Sequence, residues 1–470
     1  MVGRAARQAY GEAALALGQT EDALKIYLRL VVAKSEDKTV RRLLARTLRT
    51  ADGLTLLYQH LVPSKATASA LCFIAGVVKD HSGISEAIDL YDKCMRELPG
   101  NSSYALNQMH LHELHLDWAK AIGVLTAHCD ANPTATVGTL SLAELLACLP
   151  ADAAAFGSAA WSRLTDEAYE AAAIDPAWPA ERAPPALPAE TGAEALAPDA
   201  LKPAGTYSDV ELDVLALAYT AVKVLYSAGA LSLLPPLIAL LEPARAVKDL
   251  HLTRVRNENA YYCCTAQLMV SMPLPLPPLP PLYVIGDSHS LACAWRTVTY
   301  KGKPHLLVPR LVTGCKIWHM REASDFFTRA NFDAAVAAIP SGAPVVFLFG
   351  EIDCREGLLV AVERKRYPDL DAGIAFTVGI YMKVLKSLVA TRRFDVQVHP
   401  VPPVLNETRH IVNKFNAQLV AAVKKEKALR MLDFFDNLLT PDGGALKEEL
   451  KLDGTHMHPR YVELLDKALP

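Results

Sequence analysis

No two of the nine cysteines are separated by the two residues that a zinc knuckle or a redox motif would need, and their number is odd. Cys263 and Cys264 are adjacent and the rest are scattered, which excludes a disulfide framework and a zinc site of the paired-spacing kind. The expectation is a set of reduced thiols inside a cell. Excess positive charge is missing as well. Lys and Arg total 48 against 51 Asp and Glu, for a net charge of −3, so the concentrated basic surface of a nucleic-acid binder is not expected. No apolar run approaches the ~18 residues that would span a bilayer. The opening stretch, MVGRAARQAYGEAALALG, has early arginines, but Gln8 and Glu12 interrupt its apolar residues, so it does not read as a secretory signal. A cytoplasmic protein without a membrane span is expected. At 470 residues it is long enough for two or three cores.

Helical periodicity dominates residues 1–150. Ala87, Tyr91 and Pro99 recur as Ala121, Leu125 and Pro133, each 34 positions on. Gly18, Ala23 and Tyr27 repeat the pattern near the start. A small residue lets two antiparallel helices approach, a large one four later fills the gap, and the proline stops the second helix. The segment resembles the tetratricopeptide (TPR) repeat family over about 10–133, with three recognisable units and a degenerate one near Leu57. The resemblance implies a superhelical scaffold whose concave face holds a protein partner.

The grammar then changes. Residues 151–206 read as a helix followed by an Ala/Pro-rich linker that buries little. Residues 207–270 return to helical hairpins. SMPLPLPPLPPL, with six prolines, reads as a stiff spacer through 271–281. From 282 to 470, short apolar runs at 282–286, 305–309, 344–350, 395–404 and 429–435 alternate with helical stretches. One of these carries Ile411, Phe415, Leu419 and Val423 on a single stripe. Apolar strands separated by amphipathic helices predict a parallel sheet covered on both faces, with its site at the carboxyl ends of the strands.

Ser288 follows the first of these strands, in YVIGDSHS. Gly286 permits a tight turn, and a helix starting there would favour negative charge at the serine. A hydroxyl needs a base to become a nucleophile. The stretch LDGTHMHPR offers His456 with Asp453 three residues before it, close enough to orient an imidazole. His289 reads as a helix-start residue pointing away from the serine's partner, and His458 as a polar group at the rim. Cys315 and Cys354 read as buried free thiols. Trp318 and His319 could line a pocket or close the core.

With these residues quoted, 282–470 resembles the SGNH hydrolases, also called the GDSL esterase/lipase family. GDSHS matches the family's first block and DGTH its last, about 165 residues apart. The resemblance implies a flavodoxin-like α/β/α fold with a parallel five-stranded sheet and no metal or organic cofactor. It assigns Ser288 as nucleophile, with His456 and Asp453 completing a triad, and the N–H groups of Ser288 and Gly314 as oxyanion donors. An ester-bearing substrate follows. The family's Gly-x-Asn-Asp block reads Gly350-Glu351-Ile352-Asp353 here, so an apolar side chain stands where an asparagine would donate. Glu351, Ile352, Asp353 and Arg355 are candidate lining residues, and Arg355 is one candidate replacement donor. The expectation is an esterase or deacylase on a TPR scaffold; the alternative is a non-catalytic hydrolase-like module docking in a larger assembly.

Overall fold

The computed structural model describes residues 3–149, 207–246, 248–273 and 276–470. The helix and the Ala/Pro-rich segment expected over 151–206 lie outside them.

The first part is a run of helices: α1 (Arg4–Ala16), α2 (Thr20–Ala33), α3 (Lys38–Leu48), α4 (Gly53–Gln59), α5 (Lys65–Asp80), α6 (Ile84–Glu97), α7 (Ser102–Leu114), α8 (Trp118–Ala131) and α9 (Leu142–Ala147). Short connections make neighbours of α1 and α2, of α5 and α6, and of α7 and α8. Ala23, Ala87 and Ala121 sit on α2, α6 and α8, and each is fully buried where its helix meets the preceding one. Pro99 and Pro133 fall just beyond the last residues of α6 and α8. Side chains of Asp37, Ser64, Asn101 and Asp117 accept from backbone N–H groups at the starts of α3, α5, α7 and α8, the donors a helix leaves unpaired. The unit near Leu57 is α4, only seven residues long. A two-residue hairpin, β1 (Thr136–Val137) and β2 (Leu140–Ser141), precedes α9.

Three helices follow: α10 (Asp209–Ala228), α11 (Leu234–Arg245) and α12 (Arg256–Val270). A reciprocal Ser208–Glu211 capping box starts α10. Every residue of α10 from Leu212 to Ser227 is buried. A helix apolar all round must be enclosed on all sides, and α10 is: it packs on α7, α8, α12 and the sheet beyond.

That sheet has six strands: β3 (Pro281–Gly286), β4 (Thr297–Tyr300), β5 (Lys303–Leu311), β6 (Pro344–Leu348), β7 (Asp395–Val398) and β8 (Leu429–Met431), in the order β4-β5-β3-β6-β7-β8. All five runs read from the sequence are strands, and these five pair in parallel. The five-stranded expectation is corrected by β4, which pairs antiparallel with β5 at the edge. Lys301 and Gly302, both at positive φ (49° and 73°), make the tight turn that allows it. Side chains of β3 alternate between two cores. Leu282 and Val284 join a cluster that runs through α7, α8 and α10–α12, while Tyr283 and Ile285 face α13 (Phe327–Ala337), α15 (Leu370–Arg392) and α16 (Arg409–Val423). Between α13 and α15 lies α14 (Leu358–Glu363), opened by a π-helical turn at Asp353–Gly357. Short α17 (Phe435–Leu438) and C-terminal α18 (Val462–Ala468) complete the chain.

The α-helix expected immediately after β3 is not formed. Ser288–Leu291 is a single 3-10 turn, and the chain then bends at Trp295, held at φ +62°. The place a crossover helix would cover is taken by α10. Tyr226 Oη donates to Leu291 O at 3.0 Å, and Trp295 Nε1 donates to Tyr226 O at 2.8 Å.

Among the described residues one helix, Leu370–Arg392, is long and apolar enough to cross a membrane, with a mean hydropathy of 1.5. No run of that length is expected from the sequence; Lys383 and Lys386 fall within this one. Ile374, Val378, Tyr381 and Leu385 of this helix pack into the second core.

Candidate active site

Gly286 ends β3 where no side chain fits: a Cβ there would meet Leu348 O of β6 at 2.5 Å. The close approach of the two strand ends sets the next residues at the carboxyl edge, beside the point where the strand order reverses. Asp287 is buried and caps the turn, its carboxylate accepting from His289 N at 3.1 Å. Ser288, half-buried, is left facing His456.

Ser288 Oγ lies 3.0 Å from His456 Nε2. The other ring nitrogen, Nδ1, lies 2.9 Å from Asp453 Oδ2 and 3.2 Å from Oδ1. Asp453 also accepts from the backbone N–H groups of Thr455 (2.7 Å) and His456 (2.6 Å), so the loop folds around its carboxylate. That side chain is only 5% exposed. Burial alone would push its pKa up, but the imidazolium and the N–H donors outweigh burial and pull it down to about 2. Burial works against a charged His456 too, yet the Asp453 carboxylate outweighs it and holds the imidazole well above its ordinary value. With Nδ1–H fixed on Asp453, Nε2 carries the lone pair toward the serine, the tautomer a general base requires.

Gly314 lies past β5 at the same edge of the sheet. It is at φ +65°, a conformation that favours glycine. Its loop is braced from two directions. Val312 N donates to Gly286 O at 2.8 Å, tying it to the end of β3. Thr313 is held by the helical half: its Oγ1 donates to Glu113 Oε1 of α7 at 3.0 Å, and its N–H donates to Asn331 Oδ1, whose amide donates to Leu114 O at 2.8 Å. Glu113 forms an ion pair with Lys223 of α10 at 2.8 Å, both almost wholly buried, and the ammonium stands over the Tyr261 ring of α12.

The other predicted residues divide. Glu351 is buried with its carboxylate 3.3 Å from His289 Nε2 and 3.5 Å from Arg355 Nε. Burial opposes its ionisation, but His289 and Arg355 keep the carboxyl below its usual range. His289 does not point away from the serine's partner: its ring packs beside His456, with centroids 5.1 Å apart. The tighter 3-10 turn and the acceptor offered by Glu351 turn it inward. Ile352 is buried and apolar at the head of the π-helical turn. Asp353 accepts from Ile317 N (2.7 Å) and Trp318 N (3.3 Å), bracing the turn after the Gly314 loop. Burial pushes its carboxyl up to about 7 despite those donors. His458 accepts from Arg460 N at 3.1 Å and caps the turn that leads to α18. Cys315 and Cys354 are buried thiols. Trp318 lies half-buried under the Arg321 guanidinium, and His319 Nδ1 accepts from Lys316 N.

Sequence reasoning missed the contributions of the helical half: Glu113, Lys223, Tyr261 and Cys264. Cys264, on α12, is fully buried against the His456 imidazole, which pulls its thiol down while burial pushes it up more strongly. Only a tertiary contact brings it there, and the adjacent Cys263–Cys264 pair was the sole local sign.

No protein-family model and no curated protein matches the sequence. Among solved structures, the chain is similar to one provisionally described as a platelet activating factor from Streptococcus pneumonia, at 17% identity, over 44% of this chain and 88% of that one, with a TM-score of 0.29.

Proposed function

We propose that the sheet half is a serine ester hydrolase of the SGNH (GDSL) type, carried on a TPR-like scaffold that holds a protein partner. The observation that carries this reading is the unbroken series Ser288 Oγ, His456 Nε2, His456 Nδ1 and Asp453 Oδ2 at the carboxyl edge of the sheet. Ser288 attacks the ester carbonyl carbon while His456 Nε2 takes its proton. The oxyanion turns to the N–H groups of Ser288 and Gly314. His456 then gives the proton to the departing alcohol, and a water deprotonated by the same nitrogen releases the acid from the acyl-enzyme. Asp453 orients the ring throughout, and no cofactor enters.

A fluorophosphonate probe tests the assignment. The intact chain takes up one label and Ser288→Ala none; absence of label on the intact chain, or equal label on both, defeats it.

Because the Asp453 carboxylate holds His456 above its ordinary range and the ring must be neutral to accept a proton, turnover rises with pH. A pH–rate profile with an ascending limb centred above 6.5 is expected. The same pair sets a stability window. The Asp453 contribution is present above its unfolded value of ~3.9 and fades as pH falls toward 2. The His456 contribution is complete below ~6.5 and is lost as pH rises through its raised folded value.

Ile352 favours a second reading, in which the hydrolase-like half docks an assembly and turns over little. A groove of about 410 Å³ on the helical half, lined by Asp92, Met95, Gln108, His112 and Lys120 among others, offers that reading a binding surface. Ile352→Asn separates the two. Restoring a side-chain donor raises the acylation rate on the order of 100-fold if the oxyanion side limits a working enzyme. An unchanged, near-zero rate in single-turnover assays favours the docking reading.

A further inference from the structure

Cys264 Sγ, an Asp453 carboxylate oxygen and a His456 ring nitrogen lie within 4.8 Å of one another, three donors on one small volume. The catalytic scheme gives Cys264 no part. His456 Nε2 is engaged by Ser288, so the nitrogen facing this volume is Nδ1, on the Asp453 side. Thiolate, imidazole and carboxylate make a Zn²⁺ set, with donors at about 2.0–2.3 Å from the metal, whereas Mg²⁺ and Ca²⁺ prefer oxygen alone. The charges also suit a buried place: Zn²⁺ with one thiolate and one carboxylate is neutral, which lowers the cost of holding it away from water.

We propose that Cys264, His456 and Asp453 form an inhibitory zinc site, in which the helical half supplies the thiolate and the metal disables the general base. Zn²⁺ binds Nδ1 of the Nε2–H tautomer, so the single proton of the neutral ring moves from Nδ1 to Nε2, and it takes the Cys264 sulfur as thiolate, whose proton passes to solvent. The one proton left on the ring sits on Nε2 and points at Ser288 Oγ, so Nε2 cannot accept the serine proton. Removing the metal restores the original tautomer, and the block is reversible. The inhibition rests on the hydrolase reading above; the binding does not.

The full chain is titrated with Zn²⁺ by calorimetry in buffers of different ionisation enthalpy, and with Co²⁺ as a spectroscopic probe. The expected result is one ion per chain at this site, one proton released at a pH where His456 is neutral, a thiolate-to-cobalt charge-transfer band, and fluorophosphonate labelling of Ser288 suppressed by one equivalent of Zn²⁺ and recovered with a chelator. Cys264→Ser, a near-isostere, binds at least 100-fold more weakly, loses the band, and labels in zinc as it does without it. Cys264→Ala, which brings no hydroxyl into the packing, loses the band too, while Cys263→Ser keeps the wild-type response. No zinc binding by the intact chain, or binding and suppression undiminished in both Cys264 variants, overturns the proposal. A chain that shows the cobalt band but never takes the fluorophosphonate label keeps the site and loses the hydrolase.

Discussion

Asp453→Asn lowers ester turnover by roughly 10³- to 10⁴-fold while leaving the fold in place. The size follows from the tautomer. Asp453 accepts the Nδ1 proton at 2.9 Å, which places the lone pair on Nε2, 3.0 Å from Ser288. An amide of the same shape can offer its N–H to Nδ1 instead, which sends the ring proton to Nε2 and removes the base. The backbone bonds from Thr455 and His456 to the same side chain need only one oxygen, which Asn retains, so the loop survives. Without the carboxylate, His456 also loses the charge that holds its pKa up, so the ascending limb of the residual pH–rate profile moves to lower pH. Steady-state kinetics on an activated ester, with thermal melting as control, reads both effects. A loss of less than 10-fold would remove Asp453 from the proposed machinery.

Lys223→Met destabilises the whole chain by about 3–5 kcal/mol, because it leaves a buried carboxylate without its counter-charge. Glu113 and Lys223 are 2.8 Å apart with side chains 7% and 5% exposed. Once the ammonium is gone, Glu113 keeps the Thr313 hydroxyl, a neutral donor, and loses its buried counter-charge. The double variant with Glu113→Leu recovers most of the loss, since an apolar pair of similar volume carries no uncompensated charge. Urea midpoints of the two single variants and the double variant close the cycle. Additive losses would show that the pair is not coupled.

What the sequence disclosed depended on how local the signal was. Five parallel strands were legible because strands buried on both faces are continuous apolar runs. Strand β4 was not, because TVTY is four residues long with only Val298 and Tyr300 buried. The helix after β3 was expected from the usual strand-helix alternation, but α10 fills that space and leaves room only for a 3-10 turn. Ser288, Asp453 and His456 were legible since each lies in a short motif beside a strand end or loop. His289 was misjudged because its buried partner, Glu351, lies 62 positions away (351 − 289). Glu113, Lys223 and Cys264 lie in helical stretches whose periodicity says only that a face is buried. Nothing in a stripe marks which of its members will touch a strand end hundreds of residues later.

The contact between α10 and Trp295 has a consequence for inheritance. The indole nitrogen bonds to a helix carbonyl, the helix tyrosine bonds back to the turn that follows Ser288, and the flank of the sheet has no cover of its own at that point. The proline-rich stretch looks like a place to cut the gene in two, yet a cut there would part a strand from the helix that keeps it dry. Recombination could exchange α1 and α2 for others, but the segment from α5 onward has to travel as one piece, because Ser82, between α5 and α6, donates to Asp325 O and Phe326 O of the sheet half.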